Sequence, residues 1–222
     1  MNIFRYVVRF DGGSAPRPYG DICTLAICKP MIRRTASIGD WIIGVRSKAH
    51  TKVVYVMQVS KVVPFSDYWS DPRFVDRRPG ASPVPDNIYR PSERGELVQE
   101  PNPIHDSSEK TTDLSGRNVL VGNRFWYFGS ESPVLPMELM HLVPYYRGHS
   151  RHINRRQSDA EHLERWLKGW SCGIHGMPIE ATEELRGWLL NSELAVEEEF
   201  NRPIPRCGKQ SRVKPSRASN RS

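Results

Sequence analysis

The run Lys-Val-Val-Tyr-Val-Met-Gln-Val-Ser-Lys-Val-Val-Pro-Phe over residues 52–65 limits the possible fold more than any other segment. Side chains branched at Cβ crowd a helix and fit a pleated surface, so the run predicts a strand, bent or broken by a bulge near Ser60. A strand needs a partner. The nearest is Trp41-Ile42-Ile43-Gly44-Val45, which follows the turn signal Gly39-Asp40, and the polar connection 46–51 makes the pair antiparallel. Ile3 to Phe10, broken by Asp11-Gly12-Gly13, reads as a further strand, and Ile22 to Cys28 as a second apolar segment. Val119–Val121 and Phe125–Phe128 predict a strand pair or one long bulged strand. Pro30 with Ile32-Arg33-Arg34 predicts one or two helical turns, and Pro136 to Leu142 a short helix. The 18 prolines favour loops over long helices, so the expected class is α+β, a loop-rich mixed fold.

A polar, Pro-rich stretch from Arg77 to Lys110 carries weak strand signals at Ile88-Tyr89 and Leu97-Val98. An insertion of that length is expected to cover a site. From Ser158 the period changes: Ser158-Asp159-Ala160-Glu161 is a capping box, with Leu163, Trp166, Leu167 and Trp170 at helical spacing. A second amphipathic helix is expected from Thr182, through Leu185, Trp188, Leu189 and Leu194. The expected division is a domain over 1–150, a helical extension over 151–200 that docks on the domain or on a protein partner, and a basic disordered tail over 201–222.

The net charge of +7 resides in that tail, which has seven Lys or Arg and no acid; residues 1–200 balance. An acid-free, Ser/Pro/Arg-rich end without aromatics is expected either to solubilise the chain or to neutralise a few phosphates. Cys23, Cys28, Cys172 and Cys207 form neither a CxxC pair nor a regular disulfide framework, and no signal-peptide pattern precedes the first strand. These features point to a reducing cytoplasm. No apolar run approaches the roughly 18 to 20 residues that span a bilayer.

The order of three pieces carries a family resemblance. Gly39-Asp40-Trp41-Ile42-Ile43-Gly44, then 53–59, then the aromatic Ser66-Asp67-Tyr68-Trp69-Ser70-Asp71-Pro72-Arg73-Phe74 resembles the PUA-like superfamily, particularly its EVE and YTH branch. More closely, CTLAICKPMIRRTASIGDWIIG (23–44), DNIY (86–89) and VLVGNRFWYFG (119–129) resemble the nucleotide-modification-associated domain of the second type, a prokaryotic and phage family. The similarity runs over about residues 3–149. It implies a small PUA-like mixed β-barrel with short helices, associated with modified DNA bases in a modification or defence context, as reader or processor.

Readers of that kind hold a flipped-out base between the barrel mouth and the first loops. Such a pocket needs faces for stacking, worth about 1–3 kcal/mol per base, and polar groups aimed at the base edge. Candidates for base binding are Asp11, Cys23, Thr24, Trp41, Asn87, Tyr89 and Tyr127, with Asp86 beside Asn87. Lys29, Arg33 and Arg34 are candidates for flanking phosphates. Each has an ordinary reading too: Trp41 as core, Asp11 and Asp86-Asn87 as turn residues, the basic side chains as solvated helix surface. One pair among Phe125, Trp126, Tyr127 and Phe128 is expected to be core, and Tyr127, with its hydroxyl, is the better ligand group.

The ASCH branch of the superfamily includes hydrolases that use a lysine, a threonine and an acid. It suggests a competing assignment in which Asp11, Thr24 and Lys29 act on a modified base or nucleotide, although the spacing departs from that family's motif. Cys172-Gly173-Ile174-His175 lacks a second pair at zinc-site distance, so no metal and no other cofactor is expected. A Gly-rich phosphate loop, a GxSxG elbow and an HExxH stretch are all missing. The pattern favours a base-binding module, a reader ahead of an enzyme, whose partner is nucleic acid, DNA in preference to RNA, with enzyme and interaction scaffold as alternatives.

Overall fold

The computed structural model describes residues 1–102, 105, 107–144, 149–153, 158–183 and 185. In chain order the strands and helices are β1 (Asn2–Val8), β2 (Arg17–Tyr19), β3 (Ile22–Leu25), α1 (Pro30–Thr35), β4 (Trp41–Arg46), β5 (Val53–Gln58) and β6 (Lys61–Pro64). There follow α2 (Phe65–Ser70), β7 (Tyr89–Pro91), β8 (Leu97–Gln99), α3 (Lys110–Leu114), β9 (Asn118–Gly122), β10 (Arg124–Tyr127), β11 (His149–Ile153), α4 (Ser158–Leu167) and β12 (Gly173–Ile174). No helix among the described residues is long and apolar enough to cross a membrane.

The dominant β-branched run is two strands that belong to different sheets. Val59 exchanges backbone bonds with Gly39 and Asp40, each 2.8 Å, and Ser60 then donates to the Val121 carbonyl through both its amide, at 2.8 Å, and its hydroxyl, at 3.0 Å. The chain passes there from one sheet to the other. β9 and β10 make the same passage beside it, and Gly122 is needed because a Cβ would lie 2.8 Å from the Gln58 carbonyl oxygen. A six-stranded sheet, β11-β1-β4-β5-β10-β12, is thus folded against a four-stranded one, β2-β3-β9-β6, along a shared corner. β1 and β4 run parallel, and β4 and β5 antiparallel as expected.

The class is α+β, but the expected mixed β-barrel does not close among the described residues. Closure would need β2 to join the larger sheet. Instead Arg17–Tyr19 comes close to β12 without pairing with it, so the layers remain an open, folded-over pair.

Three apolar layers result. On the outer face of the larger sheet, Ile3, Trp41, Ile43, Val56, Trp126 and Phe128 pack under α4, which buries Ala160, Leu163 and Leu167. Between the sheets lie Phe4, Tyr6, Cys23, Ile42, Tyr55, Phe125 and Tyr127. Beyond the smaller sheet, Ala26, Ile27 and Val121 pack against Phe65, Tyr68, Phe74, Ile88 and Tyr89 from the long insertion. The Gly-Asp signature has a mechanical use here: Gly39 takes a φ of 91°, and Asp40 accepts from the amides of Asn2 at 2.6 Å and Ser37 at 2.9 Å. It thereby clamps the entrance of β1 to that of β4. β11 runs across the boundary expected at residue 150 and pairs with β1. Of the expected second helix only Thr182, Glu183 and Leu185 are among the described residues, and the basic tail lies wholly outside them.

Candidate functional site

Three of the buried aspartates, Asp11, Asp86 and Asp113, organise the polar interior. Asp11, just after β1, is 2% exposed. Its carboxylate accepts from the Tyr127 hydroxyl at 2.7 and 2.8 Å and from the Ile179 amide at 3.1 Å, and its own amide donates to Glu180 Oε2 at 2.7 Å. Burial pushes the carboxyl up to about 6, against the pull of those hydrogen bonds. Burial together with the Asp11 charge raises the Tyr127 hydroxyl well above its ordinary value, so it remains a donor.

Residues 174–180 form a strap over this pair. The His175 amide donates to the Tyr127 carbonyl and the Ser130 amide to the Met177 carbonyl, each at 2.8 Å. The strap lies so close that a Cβ on Gly129 would sit 2.0 Å from the Met177 carbonyl oxygen, and one on Gly176 2.2 Å from that of Phe128. Gly13, Arg17, Pro18, Tyr127, Ile174, Gly176, Met177 and Pro178 leave a cleft of about 20 Å³ between them. That is room for a water molecule and not for a base.

Trp41 is not part of this site. Alternation along β4 turns it to the other face of the larger sheet, where its ring stacks on Trp126 at 6.3 Å and 29°. The expected pocket shared by Trp41 and Tyr127 is therefore replaced by one on the inner face. Its inner-layer neighbours are Tyr6, whose hydroxyl meets that of Tyr55 at 3.0 Å, and Cys23, whose thiol is pushed up by burial and serves as packing.

Thr24 points the opposite way from Cys23, into the second cluster. Its hydroxyl donates to Asp86, and the Tyr68 hydroxyl donates to the other Asp86 oxygen at 2.9 Å. Arg77 reaches Thr24 Oγ1 at 2.8 Å and the carbonyls of Arg17 at 2.9 Å, Tyr19 at 3.1 Å and Ile22 at 2.9 Å. Arg17 donates to Ser82 Oγ at 3.1 Å. Burial raises the Asp86 carboxyl while the two arginines oppose it. Asn87 donates to the carbonyls of Tyr68 at 3.0 Å and Phe74 at 3.2 Å. These groups are buried, and Thr24, Tyr68, Arg77 and Asn87 donate to one another or to backbone carbonyls, so Thr24 and Asn87 are not free to read a base edge; the cluster fastens the insertion to β2 and β3.

The third aspartate, Asp113 on α3, is 0% exposed. Oδ1 accepts from the Cys28 amide at 2.7 Å, and Oδ2 from the Tyr89 hydroxyl at 3.0 Å. His105 Nδ1 lies 3.2 Å from Oδ2, within ion-pairing range though off the line of a good hydrogen bond. The other ring nitrogen, Nε2, is 3.4 Å from Cys28 Sγ. Burial works against charge on that ring, but Asp113 and Cys28 outweigh it and raise the imidazole to about 10. Cys28 is half-buried and lies between β3 and α1 with φ 60°, followed by Lys29 at φ 45°. Left-handed backbone at residues other than glycine costs about 1–3 kcal/mol each and persists only where surrounding bonds enforce it.

Arg33, expected at a phosphate, is fully buried. It donates to the carbonyls of Cys28 at 2.6 Å, Asn118 at 2.9 Å and Asp113 at 2.6 Å, which leaves it no face toward solvent. Arg34 is exposed. Lys29 holds its ammonium 4.7 Å above the Tyr6 ring, and burial lowers it. Asp11, Thr24 and Lys29, the set named for the alternative enzyme assignment, each engage different partners and do not converge. The sequence reading missed His105, Asp113, Tyr68, Arg17 and Arg77. Tyr68, Arg77, His105 and Asp113 lie in the Pro-rich insertion or on its flanks, and Arg17 between two prolines of the first loop, which is the one signal that could have drawn attention to them.

Among the described residues no three His, Cys, Asp or Glu side chains are placed to hold a metal ion. A family model described as nucleotide modification associated domain 2 matches residues 1–185. No curated protein and no solved structure matches the chain. With more than four-fifths of its length matched, the chain belongs to the nucleotide modification associated domain 2 family.

Proposed function

We propose that the domain binds a modified base turned out of DNA, and that Asp11 and Tyr127 read its edge. The observation that carries this reading is the Asp11–Tyr127 pair itself, a carboxyl and a hydroxyl held side by side beneath a strap of residues 174–180. A carboxyl that titrates near 6 can accept or donate, as pairing with the mixed donor and acceptor edge of a heterocycle requires. Family membership supplies the nucleotide-modification context. The base enters when the strap lifts, because the closed cleft is smaller than any heterocycle. Phe10, adjacent to Asp11 and 59% exposed, offers a ring on which the base stacks.

The test is fluorescence anisotropy with a panel of duplexes that differ in a single modified base, each run against its unmodified counterpart. At least one modified duplex binds more tightly than its counterpart, and Asp11→Asn or Tyr127→Phe reduces that preference by about tenfold while circular dichroism shows an unchanged fold. A protein that prefers no modified duplex, or variants that retain the full preference, would refute the assignment.

A further inference from the structure

We infer that Cys28, His105 and Asp113 form a nucleophilic triad that cleaves acyl compounds, esters or amides, through a thioester on Cys28. This site is separate from the proposed base-binding pair and shares no residue with it.

Three features support the assignment. The side chains are arranged in series, Sγ to Nε2 at 3.4 Å and Nδ1 to Oδ2 at 3.2 Å, which is the order in which a nucleophile, its proton partner and an orienting acid must stand. The same groups do not surround a common point, and among the described residues none form a metal-binding cluster. The acid is itself fixed: Tyr89 donates to Oδ2 at 3.0 Å, Arg33 lies 3.5 Å from Oδ1, and the Cys28 amide also donates to Oδ1. Gly116 leaves room for that arginine, since a Cβ there would sit 2.6 Å from the guanidinium carbon.

The second feature is the position of the nucleophile on the chain. Cys28 follows strand β3 and precedes helix α1, on a turn where two consecutive residues that are not glycine have positive φ. A tight strand-to-helix turn of this kind projects a nucleophile clear of the backbone on both sides. The third is exposure. Cys23 is sealed in the core, whereas Cys28 is half-buried and open to a small electrophile. His105 is buried at 7% exposure, which shields its contact with Asp113 from water.

The reaction balances without a further reagent. Sγ, its proton having passed to His105 Nε2, attacks the carbonyl carbon and forms a C–S bond. On collapse the bond to the leaving nitrogen or oxygen breaks, and Nε2–H protonates that group. Water, deprotonated by Nε2, then attacks the thioester carbon. The C–S bond breaks, the carboxylic acid leaves, and the proton returns to sulfur. Lys29, the next residue in the chain, has its ammonium over the Tyr6 ring and interacts electrostatically with Cys28.

The experiment uses the full chain and p-nitrophenyl acetate, followed by release of p-nitrophenol and by mass spectrometry of the quenched protein and its peptides. The expected result is a burst matching the protein concentration, with one acetyl group mapped to Cys28 and lost on standing. Cys28→Ala removes the burst, and His105→Gln slows acetylation by about a hundredfold or more. Alkylation of Cys28 by iodoacetamide at neutral pH, compared between the wild type and His105→Gln, supplies a readout that folding alone does not move: a drop of at least about tenfold is expected. Acetyl groups scattered over lysines, a burst that survives Cys28→Ala, or equal alkylation rates in the two proteins would overturn the inference. Because neither probe contains a base, failure here leaves the base-binding reading intact, and the reverse also holds.

Discussion

On the outer face of the larger sheet Trp126 of β10 and Phe128 just after it face a layer of aliphatic side chains and α4, whereas on the inner face the same strand presents Tyr127 to a carboxylate. The difference lies in hydroxyls. Outside, Trp41 stacks on Trp126 and Phe128 sits edge-on to Trp170 at 5.1 Å, a surface that excludes water and does little else. Inside, Tyr6, Tyr55 and Tyr127 fill similar volume but carry groups that must find partners. One face is built for cohesion and the other retains hydrogen-bonding capacity under cover, so changes on the two faces should have different signatures.

The largest expected effect is on the outer face. Trp41→Ala removes a side chain that is 0% exposed and should cost about 3–5 kcal/mol, read as a lower Tm in thermal unfolding. If it instead abolishes binding with little loss of stability, the division between the faces fails. Next comes Asp11. Its folded-state carboxyl, raised from 3.8 to about 6, holds its proton more tightly than the unfolded chain does. Stability therefore falls as pH rises from about 4 to about 6, by roughly 3 kcal/mol over the window if the shift is fully expressed. Denaturant unfolding across that range should show the fall in the wild type and lose it in Asp11→Asn.

Tyr127→Phe sharpens the comparison at smaller scale. It deletes one buried donor, leaves Asp11 with less compensation, and should cost about 1–3 kcal/mol while moving the acid-range transition to higher pH. The smallest effect is expected at the rim. Arg124 lies over Trp41 at 5.1 Å and pairs with a half-exposed Glu164 at 2.9 Å, so Arg124→Ala should change stability by about 1 kcal/mol or less, and less still at high salt.

The strands were legible because β-branched residues and turn signals lie next to one another along the chain. Ser60 marks the break between β5 and β6, and Phe125 with Tyr127 separates from Trp126 with Phe128 as alternation requires. The face taken by Trp41 was not legible. It depends on parallel pairing with Ile3, a partner 38 positions away that no local pattern specifies. Closure into a barrel was also beyond local reading, since it turns on whether β2 reaches β12. Asp11 and Tyr127 stood out in the sequence through a turn and an aromatic run, and the fold brings their side chains together. His105 and Asp113 were overlooked because a histidine in a Pro-rich stretch and a single aspartate in Lys-Thr-Thr-Asp-Leu resemble solvent-facing residues until folding brings Cys28 to them from 77 and 85 positions away. The buried arginines run against the usual preference of that residue for water, and only the carbonyls gathered around Arg33 and Arg77 explain them.

The strap also imposes an order of events during synthesis. Asp11 emerges from the ribosome early and its cover, residues 174–180, among the last of the described segments, so for most of translation the carboxylate faces water and ionises as an ordinary surface acid. A nascent chain arrested before Ile179 would hold both members of the pair yet leave them unroofed, and a message cut short there would yield a product with the sheet largely in place and the carboxylate open to solvent.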